Sequence, residues 1–178
     1  PVPDFLSPEL QAFRDRIEQL ATGTLIGLRD DAALEPATRA AKVRDASRAA
    51  GVYGLTQSDD TPALTLLVAR DTLASHGVGH LRGVFGSDPG VLAGVPEPLR
   101  STHLQPLLAG DKRSGFAFTE PADTDRPTWA RVEGDELVIT GRKSYVTGGA
   151  DASFLAALVE IEGQGPAMVI IDTDRPGV

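Results

Sequence analysis

The chain has 178 residues, of which 41% are hydrophobic and 24% charged, and its formal net charge is −8. This length supports one ordinary domain or two small ones. The acidic balance, without a basic cluster, argues against nucleic acid or an anionic membrane as a partner. The absence of cysteine excludes disulfides, thiolate metal sites and a cysteine nucleophile. No apolar run has the length of a membrane span, and residues 1–5 lack the pattern of a secretory signal, so we expect a cytoplasmic protein.

The first half of the sequence predicts helices separated by glycine and proline. Ser7 before Pro8 is typical of a helix start, because the serine hydroxyl accepts a hydrogen bond from a free backbone amide of the first turn. Proline is suited to the first helical position because an N–H there would have no partner within the helix. Apolar residues then recur at steps of three and four, which places them on one helix face. These residues are Leu10, Phe13, Ile17 and Leu20. Further helices are predicted over residues 36–50, 60–77 and 97–108, each followed or ended by a glycine.

After Gly110 the pattern changes to short strands. Residues 114–119 form an apolar and aromatic run without helical spacing, and residues 129–132 and 136–140 flank an acidic glycine turn, which predicts a hairpin. Two more strands are predicted over residues 153–161 and 167–171. Helices followed by strands are typical of an α+β protein. We therefore expect a helical domain over residues 1–112 and a β-rich domain over residues 113–178.

Two segments of the second half carry the clearest pattern. They are Gly115-Phe116-Ala117-Phe118-Thr119-Glu120-Pro121 and Gly141-Arg142-Lys143-Ser144-Tyr145-Val146-Thr147-Gly148-Gly149-Ala150-Asp151. Each places a threonine, Thr119 or Thr147, at the predicted end of an apolar strand. In this order, with a hairpin between them, the two segments resemble the middle-domain signature of the acyl-CoA dehydrogenase family. Residues 102–111 and 167–177 are similar to the family's flanking turn and strand, so the resemblance covers the second half well and the first in outline.

The resemblance implies a fold and a cofactor. The fold is an N-terminal helical bundle followed by an antiparallel, barrel-like β-domain, of which only part is expected here. The cofactor is FAD, with its flavin ring against the strands of Thr119 and Thr147. Thr119 would donate hydrogen bonds to the pyrimidine edge of the ring, and Thr147 would reach N5, the atom that receives hydride. Tyr145 would cover the ring edge, and the backbone of Phe116 and Phe118 would line the same site, with core packing as the alternative for both phenylalanines.

One loop departs from the family pattern. The family's Thr-Glu-Pro is usually followed, two residues later, by Gly-Ser-Asp, whereas this chain has Ala122-Asp123-Thr124-Asp125, which is one residue shorter and lacks the glycine. Asp123 can adopt a positive φ at some cost, and Thr124 supplies a hydroxyl in place of the serine. The resemblance implies that Thr124 contacts both flavin phosphate and the acyl thioester. A carrier-bound or unusual acyl substrate, or loss of function, would explain the altered loop.

The implied activity is FAD-dependent α,β-dehydrogenation of an acyl-CoA or acyl-carrier thioester by a homodimer or homotetramer. No catalytic base is assigned, because family members supply it from a second helical domain and the sequence ends at Val178. We therefore expect a fragment or a chain that works with a second subunit. The alternatives are a flavin-dependent oxidase or monooxygenase of the same fold, and a non-catalytic binding or assembly subunit. The electron acceptor is not specified, and no metal site is expected, because His76 and His80 lack a third ligand.

Overall fold

The computed structural model describes residues 6–178, so the prediction that residues 1–5 carry no secretory signal lies outside the described part. The chain forms two compact units, the first ending at Asp88 and the second spanning Pro89–Val178. The last helix ends at Ala109 and the first strand begins at Ser114, so the change from helix to strand lies inside the second unit. The helical residues from 89 onward belong to this unit because they pack with its strands. A domain boundary at residue 112 stays a prediction. No helix within residues 6–178 is long and apolar enough to cross a membrane.

The first helical segment of the N-terminal unit runs further than the apolar pattern indicated. Helix α1 (Pro8–Leu20) begins at Ser7, whose Oγ accepts a hydrogen bond from the Leu10 N–H at 3.3 Å, as predicted. A π-helical turn (Ala21–Leu25) then continues directly into α2 (Ile26–Asp30). The extra residue in this turn rotates the following helix without ending it.

Two further helices complete the core of the first unit. Helices α3 (Pro36–Ala49) and α4 (Ala63–Ser75) confirm the second and third predicted helices. Gly51 and Gly77 follow them at φ +73° and +66°, conformations that glycine adopts without steric cost. The buried core of this unit consists of Ile17, Leu20, Ala21, Leu25, Val43, Val52, Ala69, Leu73, Val78 and Val84. Burial of this apolar surface is the main stabilising contribution in the unit.

The second unit opens with a helical segment that packs on its strands. A π-helical turn (Arg100–Leu104) continues into α5 (Gln105–Ala109), which ends one residue beyond the span predicted for the fourth helix. Leu104 and Leu107 pack in one buried cluster with Phe154. His103 adds a polar link, since its Nε2 lies 2.9 Å from Asp172 Oδ1.

The second unit contains one open, mixed sheet. Its strands are β1 (Ser114–Ala117), β2 (Trp129–Glu133), β3 (Glu136–Thr140), β4 (Phe154–Ile161) and β5 (Gly165–Asp172). The predicted hairpin is confirmed: β2 and β3 pair antiparallel, as do β4 and β5. However, β1 and β2 both pair parallel with β4. The α+β class is therefore confirmed, whereas the expected purely antiparallel arrangement is wrong, because the long connections to β4 return the chain in the same direction.

The pairing of β1 and β2 with one edge of β4 creates a projecting loop. Ala117 lies opposite Ala157, and Trp129 lies opposite Glu160. The chain therefore leaves the sheet after Ala117 and rejoins the same edge a short distance along β4. Residues 118–128, which form the excursion, contain much of the predicted site.

Candidate functional site

The two threonine-bearing segments meet beside strand β1. The Ser144 N–H donates a hydrogen bond to the Thr119 carbonyl oxygen at 2.9 Å. Val146 packs directly against the strand, since a β-carbon built on Gly115 would lie 2.9 Å from Val146 Cγ1. Glycine at position 115 therefore permits the close approach of the second segment to β1.

The local structure at the two threonines differs from the prediction in one case. Thr119 follows β1 closely, but Thr147 lies on no strand, because β3 ends at Thr140 and the chain from there to residue 147 is irregular. The prediction of a strand ending at Thr147 is therefore wrong. The physical reason is a close approach at Gly141, where a β-carbon would lie 2.6 Å from Thr128 Cα. The chain turns inward there instead of continuing along the sheet.

Both threonine hydroxyls are available to a ligand. Thr119 and Thr147 are exposed, and neither side chain makes a hydrogen bond to any residue within 6–178. The N–H of Thr119 also lacks a partner in this part of the chain. The two segments that meet beside β1 thus carry three polar donors without protein acceptors in the described residues, which suits a ligand with several oxygen or nitrogen acceptors.

Three aromatic side chains stand exposed around these donors. Phe116, Phe118 and Tyr145 are 56%, 52% and 91% exposed, respectively. The rings of Phe116 and Phe118 stack with their centroids 5.8 Å apart and their planes 12° from parallel. Core packing of the two phenylalanines, the alternative interpretation, is wrong for this unit. An exposed aromatic cluster of this kind is typical of a binding surface.

The backbone at Tyr145 is strained. Its φ of +56° is the one positive value at a non-glycine residue within residues 6–178, so Asp123 does not take the positive φ considered from the sequence. A left-handed conformation at such a residue costs about 1–2 kcal/mol. Strain of this kind concentrates at functional sites, where the surrounding structure holds it in place.

Thr124 lies in an open cleft next to the loop. Its Oγ1 is shielded from solvent and has no hydrogen-bond partner in the described residues, and Ser144 Oγ is in the same state. The cleft has a volume of about 350 Å³ and is also lined by Trp129 and Arg142. Arg126 covers the Trp129 ring at 4.0 Å. Unpaired, shielded hydroxyls cost free energy unless a ligand or water satisfies them, which fits a polar group entering here.

Glu120 connects the loop to the second segment. Its Oε1 accepts hydrogen bonds from Lys143 Nζ at 2.8 Å and from the Thr128 N–H at 2.6 Å. Lys143 Nζ also donates to the Phe118 carbonyl oxygen at 3.2 Å. The hydrogen bond from Lys143, followed by that from Thr128, lowers the pKa of Glu120 from 4.5 to about 2. Glu120 therefore has a structural role, as inferred from the sequence.

This arrangement makes stability depend on pH. Because the folded-state pKa of Glu120 lies below its ordinary value, its contribution to stability is fully present above pH 4.5 and is lost as the pH falls towards 2. We expect the unfolding midpoint in urea to fall more steeply over this range in the wild type than in Glu120→Gln, whose amide does not titrate. The control is Glu162→Gln, at an exposed position that takes no part in these contacts. Parallel pH profiles of wild type and Glu120→Gln would contradict the prediction.

Several known proteins are similar to this chain. No family model matches the chain. A 3-(aryl)acrylate reductase of Clostridium sporogenes is 29% identical over 71% of this chain and 36% of its own length. The acyl-CoA dehydrogenase FadE29 of Mycobacterium tuberculosis is 29% identical over 65% of this chain and 28% of its own length. The chain is thus similar to acyl-CoA dehydrogenases over about two thirds of its sequence.

Solved structures of the family share its fold. A glutaryl-CoA dehydrogenase of Mycobacterium smegmatis, crystallised in complex with FADH2, superposes with a TM-score of 0.68 at 19% identity, over 97% of this chain and 47% of the other. The chain thus spans about half of that structure and about a third of the curated relatives it matches.

The predicted site residues stay a prediction, but the structure shows which contacts support them. The sequence pattern predicted Phe116, Phe118, Thr119, Tyr145 and Thr147, which the fold brings to one side of β1. It did not assign a role to Lys143 or Ser144, whose contacts join the two segments. The isolated lysine in an Arg-rich chain was the available signal, but its partners are distant in sequence.

Proposed function

We propose that this chain carries the flavin-binding part of an FAD-dependent oxidoreductase that dehydrogenates the α,β bond of an acyl-CoA or acyl-carrier thioester. When bound, FAD supplies the hydride acceptor of such a reaction. The chain's own residues bind the cofactor, orient it and shield its edge. We assign no catalytic base, because Glu120, the acid within the signature, is engaged by Lys143 and Thr128.

One observation carries the proposal: unpaired donors and exposed aromatic rings occur together at the place where the sequence resembles the family's flavin site. Thr119 and Thr147 offer free hydroxyls, and Phe116, Phe118 and Tyr145 offer apolar surface that a planar ring would cover. A bound flavin would satisfy the first group and bury the second. These residues therefore fit the cofactor.

Thr124 is proposed to contact flavin phosphate and the acyl thioester. Its shielded Oγ1 without a partner is an unsatisfied hydroxyl beside an open cleft, which supports a polar ligand group at this position. Acidic and basic side chains both line the cleft, and Arg142 Nη2 donates a hydrogen bond to Asp123 Oδ1 at 2.8 Å. Such a lining suits the polar carrier of a thioester better than its acyl chain.

The relatives support both the cofactor and the substrate class. FadE29 is named an acyl-CoA dehydrogenase, and the Mycobacterium smegmatis structure is a glutaryl-CoA dehydrogenase in complex with FADH2. We extend FAD and an acyl thioester to this chain on that basis. Assembly as a homodimer or homotetramer, or with a second subunit, belongs to the same proposal.

A visible absorption spectrum tests the proposal. The chain is incubated with FAD and desalted, and its absorption is scanned across both flavin bands. We expect a retained flavin whose spectrum is shifted from that of free FAD, because the ring leaves water for an aromatic and hydrogen-bonding environment. A colourless protein would contradict flavin binding by this chain. For a retained flavin that an acyl-CoA reduces without oxygen, slow reoxidation by oxygen indicates a dehydrogenase and fast reoxidation an oxidase or monooxygenase.

A further inference from the structure

We propose that Lys143 sets the orientation of the Phe118–Thr119 peptide, so that the Thr119 N–H is presented to the cofactor as a free donor. Lys143 is thus a positioning residue, which acts on the flavin through the peptide without touching it. Its role rests on the proposed flavin function and explains how one of the donors is held in place.

The orientation follows from two contacts on consecutive carbonyl groups. The Phe118 carbonyl oxygen accepts a hydrogen bond from Lys143 Nζ at 3.2 Å, and the Thr119 carbonyl oxygen accepts one from the Ser144 N–H at 2.9 Å. The Phe118–Thr119 peptide is trans, so its N–H points opposite to its carbonyl group. The Thr119 N–H therefore points away from Lys143. It has no partner within residues 6–178, as a donor reserved for a ligand requires.

Lys143 is held firmly enough to impose this orientation. Its ammonium donates to Glu120 Oε1 at 2.8 Å, and the two side chains are only 11% and 22% exposed. Glu120 is itself anchored by the Thr128 N–H at 2.6 Å, next to the point where the chain rejoins β4. Charge-assisted hydrogen bonds with limited exposure are stronger than neutral ones in water. The ammonium is thus fixed relative to the sheet.

Loss of the ammonium would free the peptide. The Phe118 carbonyl group would lose its donor, and rotation of the peptide plane would turn that carbonyl towards the ligand in place of the N–H. A carbonyl dipole repels negative charge on a reduced flavin, whereas a fixed N–H stabilises it. A purely structural salt bridge would lower stability without changing the relative affinities for oxidised and reduced flavin.

The experiment compares Lys143→Met, which removes the charge at similar length, with Lys143→Arg, which keeps a cationic donor, and with the exposed control Lys42→Met. FAD affinity is measured by fluorescence titration, and the midpoint potential of bound flavin by dye equilibration. We expect Lys143→Met to bind FAD about tenfold more weakly. Its reduced flavin should lose about a further tenfold relative to oxidised flavin, equivalent to a potential about 30 mV lower. Lys143→Arg and Lys42→Met should stay close to the wild type.

The outcomes separate this inference from the function on which it rests. A wild type that retains no FAD overturns both. A wild type that retains FAD, with Lys143→Met unchanged in affinity and potential, overturns the role of Lys143 alone. If Lys143→Met does not fold, the inference is tested by the NMR resonance of the Thr119 amide in the wild type, compared with and without FAD. A large shift and slowed hydrogen exchange on FAD addition support the inference, and an unchanged resonance overturns it.

Discussion

Replacement of both Thr119 and Thr147 by alanine is expected to weaken FAD binding by about two orders of magnitude. Each substitution removes one hydroxyl donor, worth about 1–1.5 kcal/mol, and each 1.4 kcal/mol corresponds to a factor of about ten in affinity. Both side chains are exposed and make no hydrogen bond within residues 6–178, so the fold should be unaffected. Quenching of flavin fluorescence on titration measures the loss.

The matched control replaces two exposed helical threonines, Thr22 and Thr38, by alanine. It removes the same atoms at positions that the proposed site does not include, so FAD affinity should equal that of the wild type. Circular dichroism should show the same unfolding temperature for the Thr119/Thr147 variant as for the wild type. Undiminished FAD retention by the Thr119/Thr147 variant would contradict the assignment of these residues to the cofactor.

Alanine at Gly141 is expected to cause a large loss of stability. Its β-carbon would lie 2.6 Å from Thr128 Cα and also meet Thr128 Oγ1. Thr128 cannot easily yield, since its N–H binds Glu120 and its carbonyl oxygen accepts from the Glu160 N–H at 2.9 Å. Overpacking against fixed backbone costs about 1–3 kcal/mol or more. We expect the melting temperature, followed by circular dichroism, to fall by at least about 5 °C.

The same substitution at Gly27 is expected to raise the stability of the fold. Gly27 lies in α2, and a β-carbon there would meet no atom within 4 Å. Alanine at this position should stabilise the helix by about 0.5–1 kcal/mol, because glycine loses more conformational freedom on folding. Equal melting temperatures for Gly141→Ala and Gly27→Ala would show that the close approach at Thr128 does not constrain the chain.

Local patterns in the sequence predicted the elements but not the way in which the strands pair. Ser7 and Pro8 identify the start of α1, and the acidic glycine turn identifies the β2–β3 hairpin, because caps and tight turns depend on neighbouring residues. The parallel pairing of β1 and β2 with β4 depends on residues far apart in sequence. Periodicity carries no information on this point, so the mixed sheet could not be distinguished from an antiparallel one.

The site shows the same division between local and distant information. Thr119 and the exposed phenylalanines are predicted for the site from the order of the two segments and their resemblance to a family. The irregular path to Thr147 follows from the contact between Gly141 and Thr128, which no local pattern predicts. The roles of Lys143 and Ser144 likewise arise only when the second segment lies beside the first.

The excursion of residues 118–128 from the edge of β4 also bears on how this chain tolerates changes in length. Its two ends are fixed independently, by the pairing of Ala117 with Ala157 and of Trp129 with Glu160, and Glu120 closes the base through Thr128. A residue lost between these anchors shortens only the exposed tip and leaves the register of the sheet unchanged. We therefore expect a deletion after Pro121 to reshape the cleft at Thr124 while the donors at its base stay in place.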